Sequence, residues 1–283
     1  MRVEAPNGAS TTATRDFTLK VCMLAVVPTM AHGLRWSPSM IATFFGTKGG
    51  TGTTTLAVNC AADIRRLSGR STLIVDAKQA PGDVAVFLGL RPRYGLIDLI
   101  DQAGWTEPAL ASHFIAEHSC GLHVLAAAEA FGRPGSRDAE GIDQTLRSLS
   151  SLYESVTVDA GSTLTSSAVA ALTVSDLVLL VANPDVPCLR NMPRLMDALR
   201  LAGVAPEQIR IVLNRTSDNG ALQRLQIERA LGRTIDFQVL SDYRTMAAAM
   251  NSGVPVSSVR GGELPTQIDV IARAILGSAL AEV

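Results

Sequence analysis

The residues best suited to chemistry lie in one short run, Gly46-Thr47-Lys48-Gly49-Gly50-Thr51-Gly52-Thr53-Thr54-Thr55. Its glycines let successive backbone N–H groups curl around an anion. A helix starting behind the run adds partial positive charge and unpaired donors, which suits a phosphate. The hydroxyl of Thr54 or Thr55 can then sit on a magnesium ion. Asp76 and Asp159 close the apolar runs "STLIVD" and "YESVTVD". Asp159 could instead cap a helix, but the β-branched residues before it favour the end of a strand.

Such groups work only if strands and helices hold them together. From Met40 the chain alternates short apolar runs with helical stretches. "MIATFF" reads as a buried strand and "TTTLAVNCAADIRRL" as a helix with apolar Leu56, Val58, Ala61, Ala62 and Ile64. Further strands are expected at "STLIVD", "GLHVLAA", "SVTVDAG", "DLVLLVANP" and "IRIVLNR". Helices are expected at "GLIDLIDQAG", "EPALASHFIAEH", "GIDQTLRSLSSLYE", "SAVAALTVS", "PCLRNMPRLMDALRLAG", "GALQRLQIERALG", "DYRTMAAAMNSG" and "TQIDVIARAILGSALAE". Strands that are apolar throughout, separated by helices, imply a parallel sheet covered on both faces. The expected fold is therefore α/β, one doubly wound domain with a mainly parallel sheet over residues 40–283. Ligands of such sheets bind beyond the carboxyl ends of the strands.

Residues 1–39 read as an N-terminal extension, either disordered or the product of an overcalled start with Met40 as initiator. The run "LKVCMLAVVPTMAHG" has some signal-peptide character, but it is short for a membrane span and broken by Pro28.

Composition sets the outer bounds. Hydrophobic residues make up 47% of the 283 and charged residues 18%, which excludes a disordered chain. A net charge of -1 gives no global attraction to nucleic acid or to an anionic membrane. Arg190, Arg194 and Arg200 read as a solvated helix face. The last helix carries an apolar stripe at Ile268, Ile271, Ile275 and Leu276 with only Arg273 basic, so it should pack on the domain rather than on lipid. Cys22, Cys60, Cys120 and Cys188 form no C-x-x-C pair and read as unrelated, mostly buried thiols. His113, His118 and His123 recur every five residues, on different faces of any helix, so no zinc site is expected.

The motifs then become specific. "TKGGTGTTTLAVNCA" resembles the deviant Walker A motif of the MinD/ParA superfamily, K-G-G-x-G-K-[ST]. Lys48 matches that family's signature lysine, which reaches across a dimer to the partner's nucleotide, and Gly49, Gly50, Gly52 and Thr54 match as well. Thr53 departs from it, standing where the phosphate-binding lysine is usual. "LIVDAKQAPGDVAVFLGLRPRYGLIDLI" resembles the Walker A′ region of the CpaE/TadZ pilus-assembly branch, D-x-D-x-x-x-G-D. Asp76 and Asp83 match, while Lys78 replaces the Asp that positions the attacking water. A lysine cannot do that at neutral pH. It either restores the phosphate charge missing at Thr53 or is a solvated residue. Asp159 matches Walker B, where the carboxylate holds magnesium through water. "IRIVLNR" is similar to the strand whose Asn contacts adenine, here Asn214, with Arg215 beside it. "SDYRTMAAAMNSGVPV" is similar to the segment that closes over the base.

The resemblance spans roughly residues 40–276 and implies a P-loop NTPase fold with ATP and Mg2+ as cofactors. It assigns Lys48 and Asp76 to catalysis, and Gly49, Gly50, Thr51, Gly52, Thr53, Thr54, Thr55, Asn214 and Arg215 to nucleotide binding. Thr54, Asp76 and Asp159 fall to the metal. It further implies a cytoplasmic, polar localisation factor with impaired hydrolysis, forming a homodimer on ATP and engaging pilus or secretion machinery. Neither nucleic acid nor stable membrane insertion is expected. An active MinD-type switch and a ParA-like DNA-partitioning protein are the alternatives.

Overall fold

The first strand explains the layering. In β1 (Met40–Gly46) every residue is buried, and the side chains alternate between two cores. Ile41 and Phe45 face one core, Met40, Ala42 and Phe44 the other. The alternation places one of these two cores on each face of the sheet.

The computed structural model describes residues 39–78, 82–102, 111–127, 138–217, 222–259 and 261–281. The expected extension, residues 1–39, lies outside them except for Ser39. Among the described residues β1 is followed by α1 (Thr53–Ser68), β2 (Thr72–Asp76), α2 (Val84–Phe87) and α3 (Leu96–Asp101). Then come β3 (Ala116–Glu117), β4 (His123–Leu125), α4 (Asp138–Leu152), β5 (Ser155–Asp159) and α5 (Ser166–Thr173). The chain continues through β6 (Leu177–Ala182), α6 (Val186–Leu201), β7 (Ile209–Thr216), α7 (Arg224–Leu231), β8 (Phe237–Leu240), α8 (Tyr243–Asn251) and α9 (Glu263–Ala281).

The strands form one sheet in the order β3-β4-β2-β5-β1-β6-β7-β8. Every neighbouring pair is parallel except β3 with β4. The α/β, doubly wound, mainly parallel sheet expected from the strand pattern is the observed fold. One core takes in residues of α3, α4, α5 and α6, the other residues of α1 and α9. The stripe on α9 packs as expected: Ile268, Ile271 and Ile275 are buried, and Leu276 lies against the same core. Among the described residues no helix is long and apolar enough to cross a membrane.

One helix expectation fails in its second half. Of "EPALASHFIAEH", residues 107–110 lie outside the described residues and Ala111 is helical, but Ser112–Phe114 form a 3-10 turn and the short strand β3 follows. The cause is a tight turn in which Gly121 N–H donates to the His118 carbonyl at 2.8 Å and His118 N–H to the Leu122 carbonyl at 2.9 Å. That turn pairs Ala116 with Val124 and Glu117 with His123, and the pairing overrides helical spacing.

Candidate functional site

The loop between β1 and α1 sits at the carboxyl end of the central strand, flanked by β5 and β6. Neighbouring strands hold it down. Gly46 N–H donates to the Gly161 carbonyl at 2.8 Å and Thr47 N–H to that of Val181 at 2.9 Å. Asn214 Nδ2 donates to the Thr51 carbonyl at 2.7 Å, and Asn191 Nδ2 to that of Thr47 at 3.3 Å. Gly52 ends the loop as the N-cap of α1 with a φ of 88°.

A side chain at Gly52 would bring two penalties. The left-handed backbone disfavours it by about 1–2 kcal/mol, and its Cβ would lie 2.4 Å from Asn214 Nδ2. Gly52→Ala is therefore expected to lower stability by about 2–3 kcal/mol, adding loss of the loop-tying hydrogen bond. Urea unfolding checks this. The cost should shrink in an Asn214→Ala background, and an equal cost in both backgrounds would remove the clash from the explanation.

Above the loop lies a cavity of about 560 Å³, lined in part by Lys48, Gly50, Gly52, Thr53, Thr54 and Thr55 and by Lys78, Asp83 and Arg215. Thr53 is almost wholly buried, and its hydroxyl lies 3.0 Å from that of Thr51. Gly49 is exposed. Arg215 holds a φ of 56°, where the register of β7 against β8 shifts between Leu213 and Thr216. The same irregularity carries Asn214, which donates one of its two amide N–H groups to the Thr51 carbonyl and so ties the loop down.

Asp76 and Asp159 end adjacent strands and are register partners. Both are fully buried. Asp159 Oδ2 accepts from the Thr54 hydroxyl at 2.6 Å, and Oδ1 from Gly161 N–H at 3.1 Å. Asp76 accepts backbone N–H groups from Lys78 and Val84, each at 3.3 Å. Burial, and next the neighbouring Asp159 charge, push Asp76 up to about 7, while Lys78 pulls it back.

Lys78 is not the solvated residue that one sequence reading allowed; its side chain is only 18% exposed. Its ammonium donates to Thr54 Oγ1 at 2.9 Å and to Asp83 Oδ2 at 3.2 Å, and pairs with Asp159 Oδ2 at 3.2 Å. Burial works against its charge, but Asp159, Asp76 and Asp83 more than offset this and hold its pKa above the ordinary lysine value. Thr54 and Asp159, two of the three expected magnesium ligands, thus both face an ammonium. As arranged, these residues do not fit a resident magnesium ion.

Lys48, expected to reach toward a partner's nucleotide, pairs instead with Asp185 at 2.8 Å. The hydrogen bond to Asp185 raises the Lys48 pKa. Burial pushes Asp185 up, but bonds from Lys48 and the Cys188 N–H hold it below its ordinary value. Asp185 is also the N-cap of α6, accepting from Cys188 N–H at 2.9 Å. Sequence reasoning missed Asp185, Gly161 and Asn191 as supports of the loop. Only Asp185 carried a signal, an Asp before Val186-Pro187 at the start of a helix.

His118 meets Cys120 Sγ at 3.0 Å and the Gly253 carbonyl at 3.0 Å, and His123 meets the Tyr153 hydroxyl at 2.7 Å. Cys60 and Cys188 are buried free thiols, and Cys120 is exposed.

No family model matches the chain. The septum site-determining protein MinD of Thermotoga maritima is 24% identical over 242 residues, covering 82% of this chain and 86% of that protein. A ParA family ATPase from Chlorobium tepidum superposes with a TM-score of 0.78 at 23% identity, over 84% of this chain and 99% of that one. The MinD protein of Pyrococcus horikoshii, solved with Mg-ADP, gives 0.71 at 20% identity, over 84% and 95%. The strand order, the glycine loop after the central strand and these superpositions agree: the fold is that of the MinD/ParA P-loop ATPases.

Proposed function

We propose that the chain binds an adenine nucleotide on the Gly46–Thr55 loop and uses it to control assembly with other proteins, with little or no hydrolysis. The observation that carries this reading is the pairing of an intact backbone cradle with Lys78 at the water-positioning place. The loop retains Lys48, Gly49, Gly50, Gly52 and Thr54, and the cavity above it has room for a nucleotide. Position 78 has no carboxylate to orient water, which argues against an active MinD-type switch. The resemblance of residues 73–100 to the CpaE/TadZ branch supports a role in positioning pilus or secretion machinery. A nucleotide site needs a compartment that supplies nucleotide, so a cytoplasmic protein is part of the proposal. Equilibrium binding of ATP and ADP to the purified protein tests the reading, and no binding of either would reject it.

A dimer formed on ATP is part of the same proposal. Lys48 is the residue that would cross the two-fold axis, leaving Asp185 to do so. The Lys48–Asp185 pair is about one-third exposed on both sides, and solvent screening keeps such pairs weak. Each cross-axis contact appears twice in a two-fold dimer. Losing ~1.5 kcal/mol per charge-assisted contact then weakens the dimer over a hundredfold. Lys48→Ala should leave a folded monomer that no longer dimerises on ATP in sedimentation. A dimer indifferent to Lys48→Ala, or a monomer in every nucleotide state, would remove this part of the proposal.

A further inference from the structure

A lysine ammonium has three N–H donors and no acceptor. Around Lys78 stand three acceptor oxygens: Thr54 Oγ1, Asp159 Oδ2 and Asp83 Oδ2. The Thr54 hydroxyl spends its own proton on Asp159 at 2.6 Å, which leaves its lone pairs to face Lys78. A P-loop threonine offers such a lone pair to magnesium. A carboxylate at the end of the neighbouring strand completes the surroundings of that ion. Here both groups present themselves to a cation that belongs to the chain.

We infer that the Lys78 ammonium takes the place of the divalent cation, so that the site binds nucleotide free of metal. The inference rests on the nucleotide reading given above. The three contacts of 2.9, 3.2 and 3.2 Å are ammonium distances, longer than the ~2.0–2.1 Å that magnesium demands. An octahedral ion would have to expel the ammonium from Thr54 and Asp159.

The partners are also unequal in a useful way. Asp159 is fully buried, whereas the Asp83 side chain is 64% exposed. Asp83 is the partner that can leave. A phosphate oxygen entering the cavity can take over its N–H while Thr54 and Asp159 keep the ammonium in place. The same motion delivers a positive charge to a loop that has Thr53 where a lysine is usual. One side chain thereby serves both as the phosphate-facing cation and as the occupant of the metal position. Magnesium in solution becomes a competitor, because it chelates the phosphate oxygens that Lys78 would hold.

The test is calorimetric titration of ATP and ADP into the protein in EDTA and in excess magnesium, together with melting curves on magnesium alone. Wild-type protein should bind nucleotide in EDTA within about threefold of its affinity in magnesium, or more tightly. Its melting temperature should not respond to magnesium alone. Lys78→Ala vacates the position, so it should bind nucleotide only with magnesium and should gain melting temperature from magnesium alone. Lys78→Met is a second variant should the first fold poorly, and the wild-type arms stand without either. Wild-type binding that requires magnesium, or a wild-type melting temperature that rises with it, overturns the inference and leaves the nucleotide reading intact. No binding in either buffer overturns the nucleotide reading, and the inference with it.

Discussion

Lys78→Met should cost about 3 kcal/mol of folding free energy above neutral pH and distinctly less in mild acid. Removing one partner from an enclosed charge pair costs ~3–5 kcal/mol because the other charge stays buried and unpaired. Lys78 keeps some exposure, at 18% of its side chain, so the lower end applies. What it leaves behind is Asp159, fully buried, beside Asp76, also fully buried. The pH dependence follows from Asp76, which burial and Asp159 push up to about 7 from 3.8 while Lys78 holds it down. A carboxyl raised in the folded state contributes stability that is fully present below the unfolded value and is lost as pH climbs through the folded one. Without Lys78 the folded value rises further, so the variant goes on losing stability above pH 7, where the wild type has levelled off. Urea unfolding at about pH 5 and about pH 8.5 reads both arms. A cost below ~1 kcal/mol at the higher pH, or an equal cost at both, would mean that Lys78 does not neutralise this cluster.

The second large effect concerns affinity and turnover. Thr53→Lys should tighten ATP binding roughly ten- to a hundredfold, the return of a charge-assisted phosphate contact of about 1.5–3 kcal/mol. The native threonine hydroxyl makes a 3.0 Å contact with that of Thr51, so the gain is net of that small loss. Turnover should stay very slow in the single variant, because tight binding alone lowers no barrier. Only Thr53→Lys combined with Lys78→Asp should release phosphate, since it restores a carboxylate that can orient water. Phosphate release by Thr53→Lys alone would show that position 78 has no part in the impairment.

Six of the eight described strands and the loop were legible because they depend on local pattern, whereas the short edge strands β3 and β8 were not foreseen. Runs such as "DLVLLVANP" are apolar throughout only when both faces of a strand are covered. Asp76 and Asp159 were legible because a carboxylate closing such a run has one place to be, the carboxyl edge. The pairings were not legible. Lys48 meets Asp185 across 137 positions and Asn214 meets Thr51 across 163, and nothing in the spacing of either announces its partner. Lys78 was ambiguous for a related reason. A lysine two residues past a strand can point to solvent or fold back, and the choice depends on Thr54 and Asp159, which other parts of the chain supply. The failed helix at residues 112–117 was lost to a turn at its far end, whose effect on pairing periodicity does not register.

Gly82 lies beneath the same carboxylate edge, and a Cβ there would fall 1.9 Å from Asp76 Oδ2. Residues 76 and 82 therefore occupy one shared volume, as do residues 52 and 214. In any chain built on this plan, a side chain can be gained at one member of such a couple only if the other gives up atoms or turns away. Each couple should drift as a unit through sequence space, with intermediate single changes disfavoured from either direction.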